Sequence, residues 1–284
     1  MRTMQRRQLI GAGLAAAALS GNGAASGVRA ERARPFVLVH GASHGGWCWG
    51  PVAERLRDRG YRVYTPTLTG LGERAHLVSP DITLSVHIED IANVIRYEEL
   101  DDVILVAHSY GGTVVTGVCD GMREKIARVV FIDANAPADG QPTIPGLTRE
   151  LAERVAGGPL LDGYLLPPLE PLRLGIDPQD ADTIAWVQRR MTPHPLQTLT
   201  EPIHLPNGGT QGMDRTFVLT TPLEQLLPFA REGTLKIRDD PSWQFEELLV
   251  GHDAMITAPD QTAELLRRVA DNGADNGADA ANAS

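Results

Sequence analysis

Lysine is nearly missing from this 284-residue chain, which carries only Lys125 and Lys236. With no basic cluster and a formal net charge of −10, the protein lacks the electrostatic footprint of a nucleic-acid binder, so no nucleic-acid partner is expected. Cysteine is as scarce. Cys48 and Cys119 fall in different predicted elements, so they read as separate small core residues rather than a disulfide. No spacing of His, Cys, Asp and Glu matches a metal site, so no metal and no cofactor is expected. No run reaches the roughly 20 strongly apolar residues of a membrane span, and the body shows no internal repeat.

The two ends differ from the middle. In residues 1–30, Arg6-Arg7 precedes an uncharged Gly/Ala/Leu stretch, and Val28-Arg29-Ala30 offers small residues for cleavage. A basic start, a short apolar middle and a small-residue end are the parts of an export signal, and the paired arginines point to the twin-arginine route. This predicts a protein exported to the periplasm or the exterior of a bacterial cell, with no stable membrane association once the signal is gone. Residues 1–30 hold four arginines and no acid, so their removal takes the net charge to about −14. Residues 271–284 repeat Ala-Asp-Asn-Gly and have nothing to bury, which predicts a disordered tail. Residues 31–270 remain, enough for one sizeable core.

Short β-branched runs alternate with amphipathic stretches through this body, the pattern of a mostly parallel sheet flanked by helices. Strands are predicted at 35–40, 61–64, 102–107, 127–133, 215–220 and 244–250. Helices are predicted at 51–59, 83–100, 113–122, 223–231 and 259–270. The alternation stops over 137–212, which is rich in Pro and Gly with short helices near 148–155 and 181–191. That length exceeds a simple loop, so it reads as an inserted cap over the site. Trp186, Met191, His194, Tyr164 and the cap leucines suit either an apolar substrate pocket or the cap's own small core.

The chemistry-bearing residues lie where strands end. Ala107-His108-Ser109-Tyr110-Gly111 is a G-x-S-x-G elbow with Ala in first place, set between an apolar strand and a helix. Such a turn exposes the serine hydroxyl, and the close strand–helix approach demands small flanking residues, which Ala107, Gly111 and Gly112 provide. A lone serine hydroxyl is a weak nucleophile and needs a base. His252, in Gly251-His252-Asp253, follows the last predicted strand, where this fold places its histidine. The turn His40-Gly41-Ala42 follows the first strand, so the N–H groups of Ala42 and Tyr110 are the expected oxyanion donors. His40 and His44 are read as shaping that loop. The acid expected after strand 215–220 has no Asp to fill it. Glu224 is the carboxylate within reach, and Asp133, at the end of an earlier strand beside the nucleophile strand, is the alternative.

The segments VHGASHGGWCW, TPTLTGLGERAHL, HSYGG, FIDANAPADGQ and GHDAMITAPDQTAELL together resemble the branch of α/β-hydrolases that holds plant methyl esterases, hydroxynitrile lyases and bacterial esterases. The likeness runs from about residue 35 to 266. It implies an α/β-hydrolase fold, Ser109 as nucleophile, His252 as base, and Ala42 and Tyr110 as oxyanion donors. It also implies cleavage of a small-molecule carboxylic ester through an acyl-enzyme. Lyases of this type carry a threonine just after the first-loop histidine and a lysine just after the acid. Here those places hold Gly41 and Gln225, which argues against lyase chemistry. A ligand-binding protein with a degenerate triad is the non-enzymatic alternative.

Overall fold

The computed structural model describes residues 33–281, so the export signal expected over 1–30 lies outside the described residues. Six strands form one parallel sheet in the order β2-β1-β3-β4-β7-β8. These are β1 (Phe36–Val39), β2 (Val63–Tyr64), β3 (Val103–His108), β4 (Ile126–Ile132), β7 (Arg215–Leu219) and β8 (Gln244–Glu247). The helices of the α/β layers are α1 (Gly50–Asp58), α2 (Leu84–Tyr97), α3 (Gly111–Met122), α7 (Pro228–Asp239), α8 (Ala254–Thr257) and α9 (Pro259–Ala281).

The continuous apolar runs of the central strands follow from burial on both faces. Successive side chains alternate between two cores. Leu105, Ala107, Val129, Phe131 and Phe217 join the core that α2 and α3 cover. Ile104, Val106, Val130, Ile132 and Val218 join the opposite core with Leu56 of α1 and Leu266 of α9. Cys48 and Cys119 are buried, free, and in opposite cores.

Between β4 and β7 the inserted segment holds α4 (Arg149–Ala156), a two-stranded antiparallel ribbon of β5 (Leu165–Leu166) and β6 (His194–Pro195), α5 (Ala181–Gln188) and α6 (Gln197–Thr200). It reaches the loops at the carboxyl ends of the sheet. Thr192 N–H donates to the Ser43 carbonyl at 2.9 Å, and Asp253 N–H donates to the Leu174 carbonyl at 2.9 Å.

Two expected elements come out differently. The helix expected at 223–231 is a short 3-10 turn, Leu223–Gln225, followed by α7 from Pro228. Pro228 has no N–H to donate and restricts the residue before it, so the helix begins at the proline instead of running through it. Of the tail expected to be disordered over 271–284, residues 282–284 lie outside the described residues, and residues 271–281 continue α9, which runs to Ala281. Its buried residues Ala263, Leu266 and Ala270 dock the first turns, and each further turn then adds backbone hydrogen bonds without a new nucleation cost. Among the described residues no helix is long and apolar enough to cross a membrane.

Candidate active site

Ser109 sits between β3 and α3 with φ 52, a left-handed conformation uncommon for a residue with a side chain. The tightness of the turn is measurable. A Cβ on Gly112 would lie 2.0 Å from the Asn135 carbonyl oxygen, so the helix start and the strand β4 exit leave no room for a methyl group. The elbow is pinned further by Asn135 N–H donating to the Ser109 carbonyl at 3.1 Å.

His252 lies in the loop after β8. His108, the residue before Ser109, donates from Nε2 to the His252 carbonyl at 3.0 Å, and the two rings are 4.6 Å apart between centroids. His252 keeps 24% of its side chain exposed, whereas His108 keeps 1%. The residue neighbouring the serine is thus sealed, and His252 remains reachable.

The carboxylate hydrogen-bonded to His252 is Asp133. His252 Nδ1–H donates to Asp133 Oδ2 at 3.2 Å, and the Asp133 side chain is fully buried. Thr220 N–H donates to Asp133 Oδ1 at 2.7 Å, and the Thr221 hydroxyl donates to Oδ2. The segment after β7, expected to supply an acid, instead supplies donors that hold one. Glu224 stands on the exposed 3-10 turn, and the structure does not bring it to His252. The reason is positional: β4 lies between β3 and β7, so a residue ending β4 borders both the nucleophile and the loop beyond β7.

Burial disfavours the charged forms of both partners, yet their mutual contact prevails. The hydrogen bond and charge of Asp133 hold the His252 imidazole above the ordinary histidine range. His252 with the two threonine donors holds the Asp133 carboxyl below the ordinary carboxylate range. His40 and His108 behave oppositely: burial takes each down to about 3, and for His108 the neighbouring His252 adds to that fall while Asp253, 3.6 Å away, only partly offsets it.

Of the oxyanion candidates, Ala42 is partly exposed and Tyr110 heads the turn into α3. Among the described residues, neither the Ala42 N–H nor the Tyr110 N–H has a hydrogen-bond acceptor. Two free N–H donors on the turns that flank the serine are what an incoming oxyanion requires. The loop bearing Ala42 is braced on every side. His40 Nε2 accepts from Leu68 N–H at 3.1 Å, and His44 donates from Nδ1 to the Ala42 carbonyl at 2.7 Å. His194 of β6 accepts from Ser43 N–H at 3.2 Å. Gly41 is locked by space: a Cβ there would stand 2.9 Å from Ser109 Cβ, which closes the place where the lyases carry threonine.

Of the two expected roles, Trp186 and Met191 take that of the cap's own core. Trp186 and Met191 pack with Leu174, Ile176 and Val187 in the cap's own cluster, joined by Trp47 from the first loop. His194 is fully buried and polar in its work, donating from Nε2 to Thr198 Oγ1 at 2.8 Å. Sequence reasoning missed this role, and also His87, which sits at a core position of α2 and accepts the Tyr110 hydroxyl at 2.8 Å. The one available signal was a histidine inside an apolar helical stripe.

Residues 36–265 match the alpha/beta hydrolase family. A carbendazim hydrolyzing esterase of Nocardioides sp. (strain SG-4G) is 40% identical over 239 residues, covering 81% of this chain and 97% of that protein. Methyl jasmonate esterase 1 of Vitis vinifera is 36% identical over 108 residues, which is 38% of this chain and 41% of its own length. Among solved structures, an extracellular alpha/beta-hydrolase from a Paenibacillus species superposes with a TM-score of 0.69 at 23% identity, covering 83% of this chain and 98% of its own, a likeness of fold. With its parallel sheet, its serine at the β3–α3 turn and a match over most of its length, the chain belongs to the alpha/beta hydrolase family.

Proposed function

We propose that the protein is an esterase that cleaves small carboxylic esters through an acyl-enzyme on Ser109. The observation that carries this reading is the Asp133–His252 hydrogen bond set against the left-handed Ser109 elbow. His252 takes the proton of Ser109 Oγ as the oxygen attacks the ester carbonyl. The N–H groups of Ala42 and Tyr110 receive the negative oxygen of the tetrahedral intermediate. His252 then protonates the departing alkoxide, the C–O bond breaks and the alcohol leaves. Water, deprotonated by the same imidazole, attacks the acyl carbonyl, and Ser109 recovers its proton as the acid departs. Asp133 fixes the tautomer and steadies the imidazolium. No step calls on a metal or an organic cofactor.

The esterases among its relatives support ester hydrolysis, and the one named for methyl jasmonate makes methyl esters of small apolar acids the first substrates to try. The closed space at Gly41 speaks against the lyase alternative. Residues 1–30 act, in the same reading, as a twin-arginine export signal, supported by Arg6-Arg7 and the short apolar stretch that follows. Replacing both arginines by lysine is expected to leave the protein in the cytoplasm, as cell fractionation would show.

The deciding experiment is turnover of short and medium chromogenic acyl esters and of methyl esters beside Ser109→Ala. Loss of at least about a thousandfold in kcat is expected, given what removing a triad member costs. Equal turnover by the variant overturns the acyl-enzyme.

A further inference from the structure

A second carboxylate is buried beside the site, and the proposed reaction gives it no step. Asp253 follows His252 and its side chain is fully enclosed, as is that of His44 but for 2%. His44 Nε2–H donates to Asp253 Oδ2 at 3.0 Å, while Nδ1–H donates to the Ala42 carbonyl at 2.7 Å. Both ring nitrogens of His44 therefore face acceptors, a carboxylate and a peptide carbonyl, and satisfying both requires both protons. Burial opposes that charge, but the Asp253 carboxylate outweighs it and holds His44 above the ordinary histidine range.

The position of this pair closes a circuit. Ala42 carries a free N–H beside Ser109, and its own carbonyl is held by His44. His44 is held by Asp253, and Asp253 is joined by one peptide bond to His252. The His252 carbonyl is held by His108, which is joined by one peptide bond to Ser109. Asp253 is anchored in turn, its N–H donating to Leu174 of the cap and its carbonyl accepting from Ile256 at 2.8 Å. Oxyanion loop, base and nucleophile belong to strands separated in the sequence, and few side chains bridge them. A buried pair that served stability alone would need no contact with the carbonyl of Ala42, a residue that offers a free N–H to the oxyanion.

We propose that the His44–Asp253 pair is a positioning strut that fixes the Ala42 N–H relative to His252, so that the developing oxyanion meets its donor at the moment the base takes the proton. The strut rests on the esterase reading of the same site and adds two positioning residues to it. Neither touches substrate. Their effect falls on the transition state, because only there does the oxygen carry the charge that Ala42 receives.

The test compares wild type with Asp253→Asn and His44→Gln on a chromogenic short-acyl ester, with melting temperature measured for each. His44→Gln keeps a donor for Asp253 and loses the one for Ala42. Each variant is expected to lower kcat by about 10- to 100-fold with KM changed by no more than about threefold, and to weaken inhibition by a short alkyl boronic acid in proportion to kcat. A folded His44→Gln protein with wild-type kcat and boronate affinity overturns the strut, whatever its melting temperature. Should either variant fail to fold, histidine-ring NMR of the wild type decides: His44 bearing two slowly exchanging N–H protons supports the strut, and one proton overturns it. Labelling of the wild type by a fluorophosphonate separates the two levels. A wild type that neither turns over esters nor takes the label at Ser109 defeats the esterase reading itself, while a labelled, active wild type with equally active variants defeats only the strut.

Discussion

At Asp133 the backbone turns through φ 42, and the carboxylate faces one imidazole N–H, one peptide N–H and one hydroxyl. Three donors on a fully enclosed carboxylate keep it ionised and fix its direction, so Asp133→Asn both removes the charge and permits the wrong imidazole tautomer. A fall in kcat of about 10,000-fold is expected by analogy with other triads, whereas Glu224→Ala, on an exposed turn, should stay within about twofold as ordinary surface substitutions do. Steady-state kinetics of the two variants side by side settles the acid, and the opposite ranking would restore Glu224. The same contact sets the pH dependence. His252 must be neutral to accept a proton, and although burial favours that form, Asp133 raises its pKa above the ordinary 6.5. The acid limb of kcat/KM should therefore have its midpoint above that value, with activity lost as pH falls through it. In Asp133→Asn the midpoint should move down, because the carboxylate that raised it is gone. A midpoint unchanged by the substitution would mean that His252 is not the group being titrated.

The turn from β3 into α3 fixes the nucleophile by lack of space. Ala107 and Gly111 meet the need for small residues that the elbow motif carries in sequence, but the tightest point is Gly112, against the carbonyl of Asn135. That carbonyl belongs to the strand β4 exit, two residues past Asp133. Gly112→Ala would push apart the elements that carry Ser109 and Asp133. A loss of about 1–3 kcal/mol of stability, as for overpacked cores, should accompany lowered kcat, checked by urea unfolding and turnover on the same sample. An alanine variant as stable and active as wild type would show that the two elements can separate without consequence. The inserted segment works on the same principle. Its ribbon residue His194 and its residues Leu174 and Thr192 hydrogen-bond the loop after β1 and the His252 loop, so the inserted segment braces both loops.

Across the whole molecule, negative charge dominates, with a formal net charge of −10 spread over a chain with two lysines. Such a field disfavours approach of anionic substrates and is screened by salt over about 8–10 Å at ordinary ionic strength. The value of kcat/KM for an ester bearing a free carboxylate should therefore rise with added sodium chloride, while that for a neutral ester of similar size stays level. Equal salt responses would mean that the surface charge lies too far from the entrance to matter. At acid pH the site itself should give way. Asp133 and Asp253 are both held below the ordinary carboxylate pKa of 3.8, so the stability they contribute is complete above that value and fades as pH drops through their folded-state pKa values.

Much of this was legible in the chain. Apolar runs bounded by turn residues placed the strands, because a strand covered on both faces must be apolar throughout. The elbow placed Ser109, because a strand-to-helix turn that tight tolerates few sequences. The loop after the last strand offered His252, and the small residues after the first strand offered Ala42, the base and the donor of the proposed reaction. What the tertiary structure alone decided was which distant groups meet. Glu224 and Asp133 were both candidates in sequence, and which of them meets His252 turned on strand order, which sets β4 between β3 and β7 and leaves Glu224 on an exposed turn. The same holds for His44, His87, His108 and His194, whose partners lie on other elements. A histidine's role depends on what faces each ring nitrogen, and local sequence fixes where a side chain starts but not what it meets across the fold.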